Sequence, residues 1–242
     1  MPQTYHDWAV AHQPRPDELA QMRSQVASLA YRPVVSLVMP TYNTPEIYLR
    51  EAIDSVLAQV YPDWELCIAD DCSPDPQVRQ ILEDYCQRDR RIKVAYRQTN
   101  GHISQSSNSA LALATGDYVG LLDHDDLLEP HALYEVVALL NQYPYADMIY
   151  SDEDKIDQNG RFGEPACKSA WCPDAMLSRM YTCHFGVYRR EILKFIGGFR
   201  PGYEGSQDYD LVLRFTERTK RVYHIPKVLY HCLLYTSDAA DE

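Results

Sequence analysis

Short apolar runs alternate with polar, turn-rich stretches along the first half of the chain. VVSLVM (34–39) is β-branched and apolar and stops at Pro40, which reads as a buried strand. NTPE follows, with Thr44 as N-cap and Pro45 at the first helical position. Ile53, Val56, Leu57 and Val60 then recur at helical spacing. The unit repeats. WELCIAD (64–70) is a strand, DCSPDP (71–76) a loop, 77–88 a helix and IKVAYR (92–97) a strand. TNGHISQSSN (99–108) is a polar loop entering an alanine-rich helix (110–114); TGD breaks it, and YVGLLD (118–123) is a fourth strand. Strand alternating with helix predicts an α/β class: a mostly parallel sheet with helices on both faces.

The second half is less regular. The pattern predicts a helix over 132–142 and a strand over 146–155 running into acid, with 156–172 irregular. CHFGVYRR (183–190) is strand-like, 191–199 is a helix stopped by Gly197 and Gly198, and 204–218 opens polar and turns helical. VYHIPKVLYH (222–231) reads as strand, turn, strand. Ahead of everything, 1–33 forms an arm with an amphipathic helix near 17–30 (Leu19, Met22, Val26, Leu29). The domain proper is expected over 34–231, with a ligand-binding half at 34–130 and a second half at 131–231.

Composition narrows the class. A chain of 242 residues with 45% hydrophobic content makes one large domain or two small ones with a real core. A net charge of -12 argues against a nucleic-acid partner and against a membrane surface held by charge alone. No apolar run is long enough for a transmembrane helix, and MPQTYHDWAV lacks the basic and apolar regions of a signal peptide, so the expected compartment is the cytoplasm. Seven cysteines without a C-x-x-C pair read as free thiols rather than a zinc site. The end, CLLYTSDAADE (232–242), resembles the translation of a sequencing-library adapter; on that reading it is a non-native tail and the natural chain breaks off near His231.

Ligands of open parallel sheets bind outside the C-terminal strand ends. Those ends carry Pro40, Thr41, Tyr42 and Asn43; Asp70 and Asp71; Asn100, Gly101, Ser104 and Gln105; and Asp123, His124, Asp125 and Asp126. Three of the groups have a plain alternative. Tyr42 and Asn43 suit a turn, Asp70 and Asp71 a cap, and DHDD an N-cap cluster. The D-x-D spacing straight after a buried strand nevertheless offers hard oxygen donors suited to Mg²⁺ or Mn²⁺ with phosphate oxygens. His124 reads as pointing aside from the cation.

VSLVMPTYN, IADDCS, NGHISQSSNSALALATGDYVGLLDHDDLL and EGSQDYDLVLR together resemble a family 2 glycosyltransferase of GT-A fold, over about 34–231. The resemblance points to the bacterial branch that builds surface polysaccharides. It implies that Pro40, Tyr42 and Asp71 hold the nucleotide, within a group that includes Thr41, Asn43, Asp70, Ser104, Gln105 and His124. It implies Asp123 near the ribose and metal, Asp125 on the metal (Mn²⁺ or Mg²⁺), Asp208 as catalytic base, and His231 completing the metal or diphosphate site. The implied partners are a nucleotide-sugar donor, UDP or similar, and a glycan or lipid-linked acceptor. Peripheral association with the inner membrane, or a place in a longer chain, fits that role.

The chemistry agrees with these roles. A departing diphosphate needs a divalent cation, and an acceptor hydroxyl needs a base. One base with direct attack at the anomeric carbon implies inversion. Gln207 stands before Asp208 where many relatives carry Glu, and the family normally continues past His231 with a segment covering the site. Acceptor selection is expected in 150–206, through SDEDK, KSAW and TCH, with Trp171 either a sugar platform or core. Two other readings remain: a catalytically inactive nucleotide-sugar-binding module, and a sugar-1-phosphate nucleotidyltransferase. The latter needs a Gly- and Lys/Arg-rich loop where PTYNTPE stands.

Overall fold

The computed structural model describes residues 4–234. The chain opens with α1 (Tyr5–His12) and α2 (Pro16–Gln25). Thr4 and Asp7 cap α1 reciprocally, side chain to backbone in both directions. Nothing in the apolar pattern marks α1, because none of its residues is buried.

The expected alternation follows: β1 (Val35–Thr41), α3 (Glu46–Leu57), β2 (Trp64–Asp70), α4 (Pro76–Arg88), β3 (Ile92–Tyr96), α5 (His102–Leu113) and β4 (Tyr118–Leu121). Two local expectations fail. Thr44 does not cap α3, since its hydroxyl bonds that of Thr41 at 2.7 Å and Pro45 takes the cap position. Helix α5 starts at His102 rather than near 110. Its inner face is made of buried serines (Ser104, Ser106, Ser107), which an apolar-periodicity reading takes for loop.

Then come β5 (Leu127–Leu128), α6 (Ala132–Gln142), β6 (Met148–Asp157), β7 (Phe162–Ala166), α7 (Pro173–Ser178), β8 (Gly186–Arg189), α8 (Arg190–Phe195), α9 (Gln207–Thr216) and β9 (Val222–Leu234). Strand β7 lies within the stretch expected to be irregular. Strand β9 is continuous, and its register against β6 shifts opposite the stretch containing Pro226, where a turn was expected. Residues 232–234, assigned to the tail above, pair with Lys155–Asp157. The rest of that tail, 235–242, lies outside the described residues.

The sheet order is β3-β2-β1-β4-β8-β6-β9-β5, with β7 on β6. Strands β1 to β4 are mutually parallel; β8 joins antiparallel to β4 and β6. Because β2 and β4 flank β1 on opposite sides, the switch point of the sheet falls at the β1 and β4 ends. Successive β1 residues feed two cores. Val35, Leu37 and Met39 pack towards α3, α4 and α6, and Val38 packs with Ala110, Leu211 and Phe215. Each such fully buried side chain contributes about 1.5–3 kcal/mol.

One buried polar cluster ties the sheet to the turn before β4. Glu65 on β2 accepts from Ser36, Lys93 and both the N–H and hydroxyl of Thr115. Burial pushes its carboxyl up, but these bonds outweigh it and bring the pKa down to about 2. All seven cysteines are free. Among the described residues no helix is long and apolar enough to cross a membrane.

Candidate active site

The loops at the parallel strand ends are held in tight backbone conformations. Asn43 (φ 50°), Cys72 (φ 65°) and His102 (φ 60°) follow β1, β2 and β3 in the left-handed region, which costs energy outside glycine. Asp70 accepts from the Ser73 backbone at 3.2 Å, and the Ser73 hydroxyl accepts from Asn43 N at 2.8 Å. Asp70 therefore braces the β1 and β2 loops against each other. Asp71 is turned inwards. Its carboxylate accepts from Gly101 N at the start of α5 and pairs with Arg97.

These loops enclose a cavity of about 580 Å³ lined by Pro40, Thr41, Tyr42, Asp71, Asp123, His124 and Asp125, with Asn100, His102, Ile103 and Ser106 from the α5 entrance. The structure thus brings together eight residues singled out from the sequence, Asn100 among them. Asn43, Asp70, Ser104 and Gln105 are not in its lining: Asp70 and Asn43 serve the loop brace, Gln105 accepts from Arg97 at 3.0 Å, and Ser104 is buried. His102, Ile103 and Ser106 escaped the sequence reading because α5 begins earlier than its apolar pattern suggests.

Beyond this cavity, Asp123 and Asp208 share a smaller one of about 80 Å³ with Leu121, Met180, Cys183, His184 and Tyr188. Asp208 lies in the first turn of α9 with Gln207 Nε2 donating to it at 3.2 Å, so it is not the helix cap, which is Ser206. His184 stacks on Tyr230 with ring centroids 4.6 Å apart and places Nε2 3.9 Å from Asp123 Oδ2. It belonged to the TCH stretch but carried no individual role. Tyr230 accepts from Asp123 N at 3.1 Å and donates to Asp126 at 2.7 Å.

The acids crowd one another. Desolvation, then Asp208 and Asp125, push the Asp123 carboxyl up to about 7. Desolvation and Asp123 push Asp126 to about 7, against His184, Leu233 N and Tyr230. Burial raises Asp208 as well, opposed by His184 and Gln207. Clustered carboxylates with raised pKa values bind a cation favourably. The lining of the larger cavity contains no lysine or arginine. The hard carboxylate oxygens of Asp123 and Asp125 on this lining are of the type that suits Mg²⁺ or Mn²⁺. Asp126, His184 and Cys232 form a further group whose ligand atoms lie within 4.8 Å of one another.

His231 does not join this cluster. Alternation along β9 turns Tyr230 towards Asp126 and His231 the other way. Both ring nitrogens of His231 are engaged, Nε2 by Glu129 at 2.9 Å and Nδ1 by Asp154. Burial lowers its pKa, but the two carboxylates outweigh that and hold it up to about 9. In this arrangement His231 faces Glu129 and Asp154 and lines neither of these two cavities bordered by Asp123, so the structure does not bring it to Asp125 as the sequence reading expected. Trp171 packs against the core around Tyr181, with centroids 6.2 Å apart.

Comparison with known proteins follows the same lines. The family described as "Glycosyl transferase family 2" matches residues 36–197. An uncharacterized protein, y4gI, of Sinorhizobium fredii is 46% identical over 207 residues, covering 85% of this chain and 23% of its own length. The O-antigen biosynthesis protein RfbC of Myxococcus xanthus is 40% identical over 227 residues, 94% of this chain and 18% of RfbC. This chain therefore spans less than a quarter of either relative. S. aureus TarS 1-349 in complex with UDP-GlcNAc superposes with a TM-score of 0.69 at 26% identity, over 83% of this chain and 58% of that one.

Proposed function

Starting from a chain that belongs to glycosyl transferase family 2 and has its GT-A fold, we propose that it is an inverting, metal-assisted glycosyltransferase domain. It moves a sugar from a nucleotide-diphosphate donor, a UDP-sugar, to a glycan or lipid-linked acceptor in surface-polysaccharide synthesis at the cytoplasmic face of the membrane. The observation that carries the reading is the placement of Asp123 between two cavities, with Asp125 on the side of the larger and Asp208 across the smaller.

In this reading Pro40, Thr41, Tyr42 and Asp71 hold the base and ribose, and Asp123 and Asp125 hold the metal. A divalent cation held by these two carboxylates would neutralise charge developing on the leaving diphosphate. Asp208 accepts the proton of the acceptor hydroxyl, and its raised pKa makes it a better base. The smaller cavity holds no second carboxylate besides Asp123, which is committed to the donor side. Direct attack with one base inverts the anomeric centre. The names of RfbC and of TarS bound to UDP-GlcNAc support the polysaccharide and UDP parts of the proposal.

Calorimetric titration of UDP with and without Mn²⁺, on the parent chain and on Asp125→Ala, tests the donor half of the proposal. Metal-dependent binding that disappears in the variant is expected. Binding indifferent to metal and to the substitution would sink the Asp125 assignment. The configuration of the product, read by NMR, tests inversion.

A further inference from the structure

The N-terminal arm covers a second cavity, of about 360 Å³, that shares no lining residue with the donor cavity. Its floor is the Glu129–His231–Asp154 cluster on β9 and its neighbours, and Tyr5 of α1 donates to Asp154 at 2.8 Å. Trp8 forms part of the wall, 44% exposed and stacked on His12 at 4.3 Å. His131 also lines it. That residue is only 8% exposed, and its Nδ1 is buried without a hydrogen-bond partner among the described residues. A buried ring nitrogen left without a partner is costly, so one is expected from elsewhere.

The lining selects against charged ligands. Lys227 is tied to Glu135 at 2.7 Å and Glu18 to Arg15 at 3.4 Å. Glu129 and Asp154 share one imidazole between them. Each lining cation already faces a carboxylate, Asp154 is shared between Tyr5 and His231, and of the floor carboxylates Glu129 keeps Oε2 beside His131. What remains is an aromatic wall beside one donor–acceptor gap: His131 Nδ1 lies 3.8 Å from Glu129 Oε2. A hydroxyl oxygen about 2.8 Å from each atom bridges that gap, bonding the ring nitrogen and donating to the carboxylate. The volume falls in the roughly 300–1,000 Å³ range of small-molecule sites.

We propose that this cavity is a second carbohydrate site, which seats a neutral sugar unit of a glycan against Trp8 with one hydroxyl bridging His131 and Glu129. The site is separate from the donor cavity and does not depend on the donor reading. It gives the arm a function, because Trp8 and Tyr5 reach the cavity only when α1 is docked on β7 and Asp154.

The test is saturation-transfer NMR and titration with methyl β-glucoside, methyl β-galactoside and N-acetylglucosamine. It uses the parent chain, Trp8→Ala, His131→Phe and Asp125→Ala. At least one neutral sugar is expected to bind, with affinity falling about tenfold or more in Trp8→Ala and His131→Phe and unchanged in Asp125→Ala. Trp8 is outside the buried core, so its removal leaves the fold intact and decides the matter should His131→Phe fail to fold. The proposal is overturned if no sugar binds, if Trp8→Ala binds as well as the parent, or if binding is lost in Asp125→Ala instead. It is also overturned if protonated glucosamine or inorganic phosphate binds this cavity more tightly than the neutral sugars. UDP titrated in parallel judges the donor reading alone.

Discussion

The two halves of the domain position chemistry by different means. In the first half, β1 to β4 are parallel, with β1 and β2 buried throughout, and the backbone delivers Thr41, Asp71 and Asp123 to one edge as each strand ends. In the second half, largely buried side chains do the positioning. Lys168 donates to Glu153 at 3.0 Å, to Thr182 O at 2.7 Å and to His184 O. Glu153 accepts from His184 N at 2.7 Å. Asp147 joins Arg189, Arg221 and Thr219, and Asp152 joins His224. A site built at strand ends is as rigid as the sheet beneath it. A site riveted by polar side chains is separable from it, because each rivet can fail without unfolding the sheet.

The strongest test of that separation is Asp208→Asn. Sugar transfer is expected to fall by a factor on the order of 10²–10⁴ while UDP affinity measured by titration stays the same. Loss of UDP affinity as well would break the division between halves. Leu37→Ala, in the fully buried middle of β1, is expected to cost roughly 3 kcal/mol of global stability in urea unfolding, because its cavity cannot collapse. Lys168→Met probes the other half. It frees the 182–184 segment and is expected to lower transfer about 10²-fold through misplacement of His184, with UDP affinity again unchanged.

The smallest effect concerns pH. Glu65 titrates at about 2 in the fold against 4.5 unperturbed, so its contribution is fully present above the unfolded value and lost as pH falls towards 2. Glu65→Gln is expected to lower stability at pH 7 by about 1 kcal/mol and to flatten the loss below pH 4.5, read from urea midpoints. An unchanged acid slope would place the acid sensitivity in the other half.

The same contrast governs what could be read from the chain. Apolar runs ending in proline or acid located β1, β2 and β4 and the residues just past them, because transfer of apolar surface and strand sterics act locally. The D-x-D spacing and the helix start at Asp208 were legible for the same reason. Helix α5 was misplaced because serines form its inner face, α1 because it buries nothing, and β7 because its residues are largely exposed.

What the sequence by itself determined is the α/β alternation, the edge at which the larger cavity opens, and the group of acids at that edge. Only the tertiary structure decided which acid faces which cavity. Asp126 meets Tyr230 across 104 positions and His231 meets Asp154 across 77, so neighbours on β9 serve opposite faces. Strand alternation fixes that one residue apart they must diverge. Which partner waits on each side is set by pairings formed only when distant segments meet, and no local pattern encodes them.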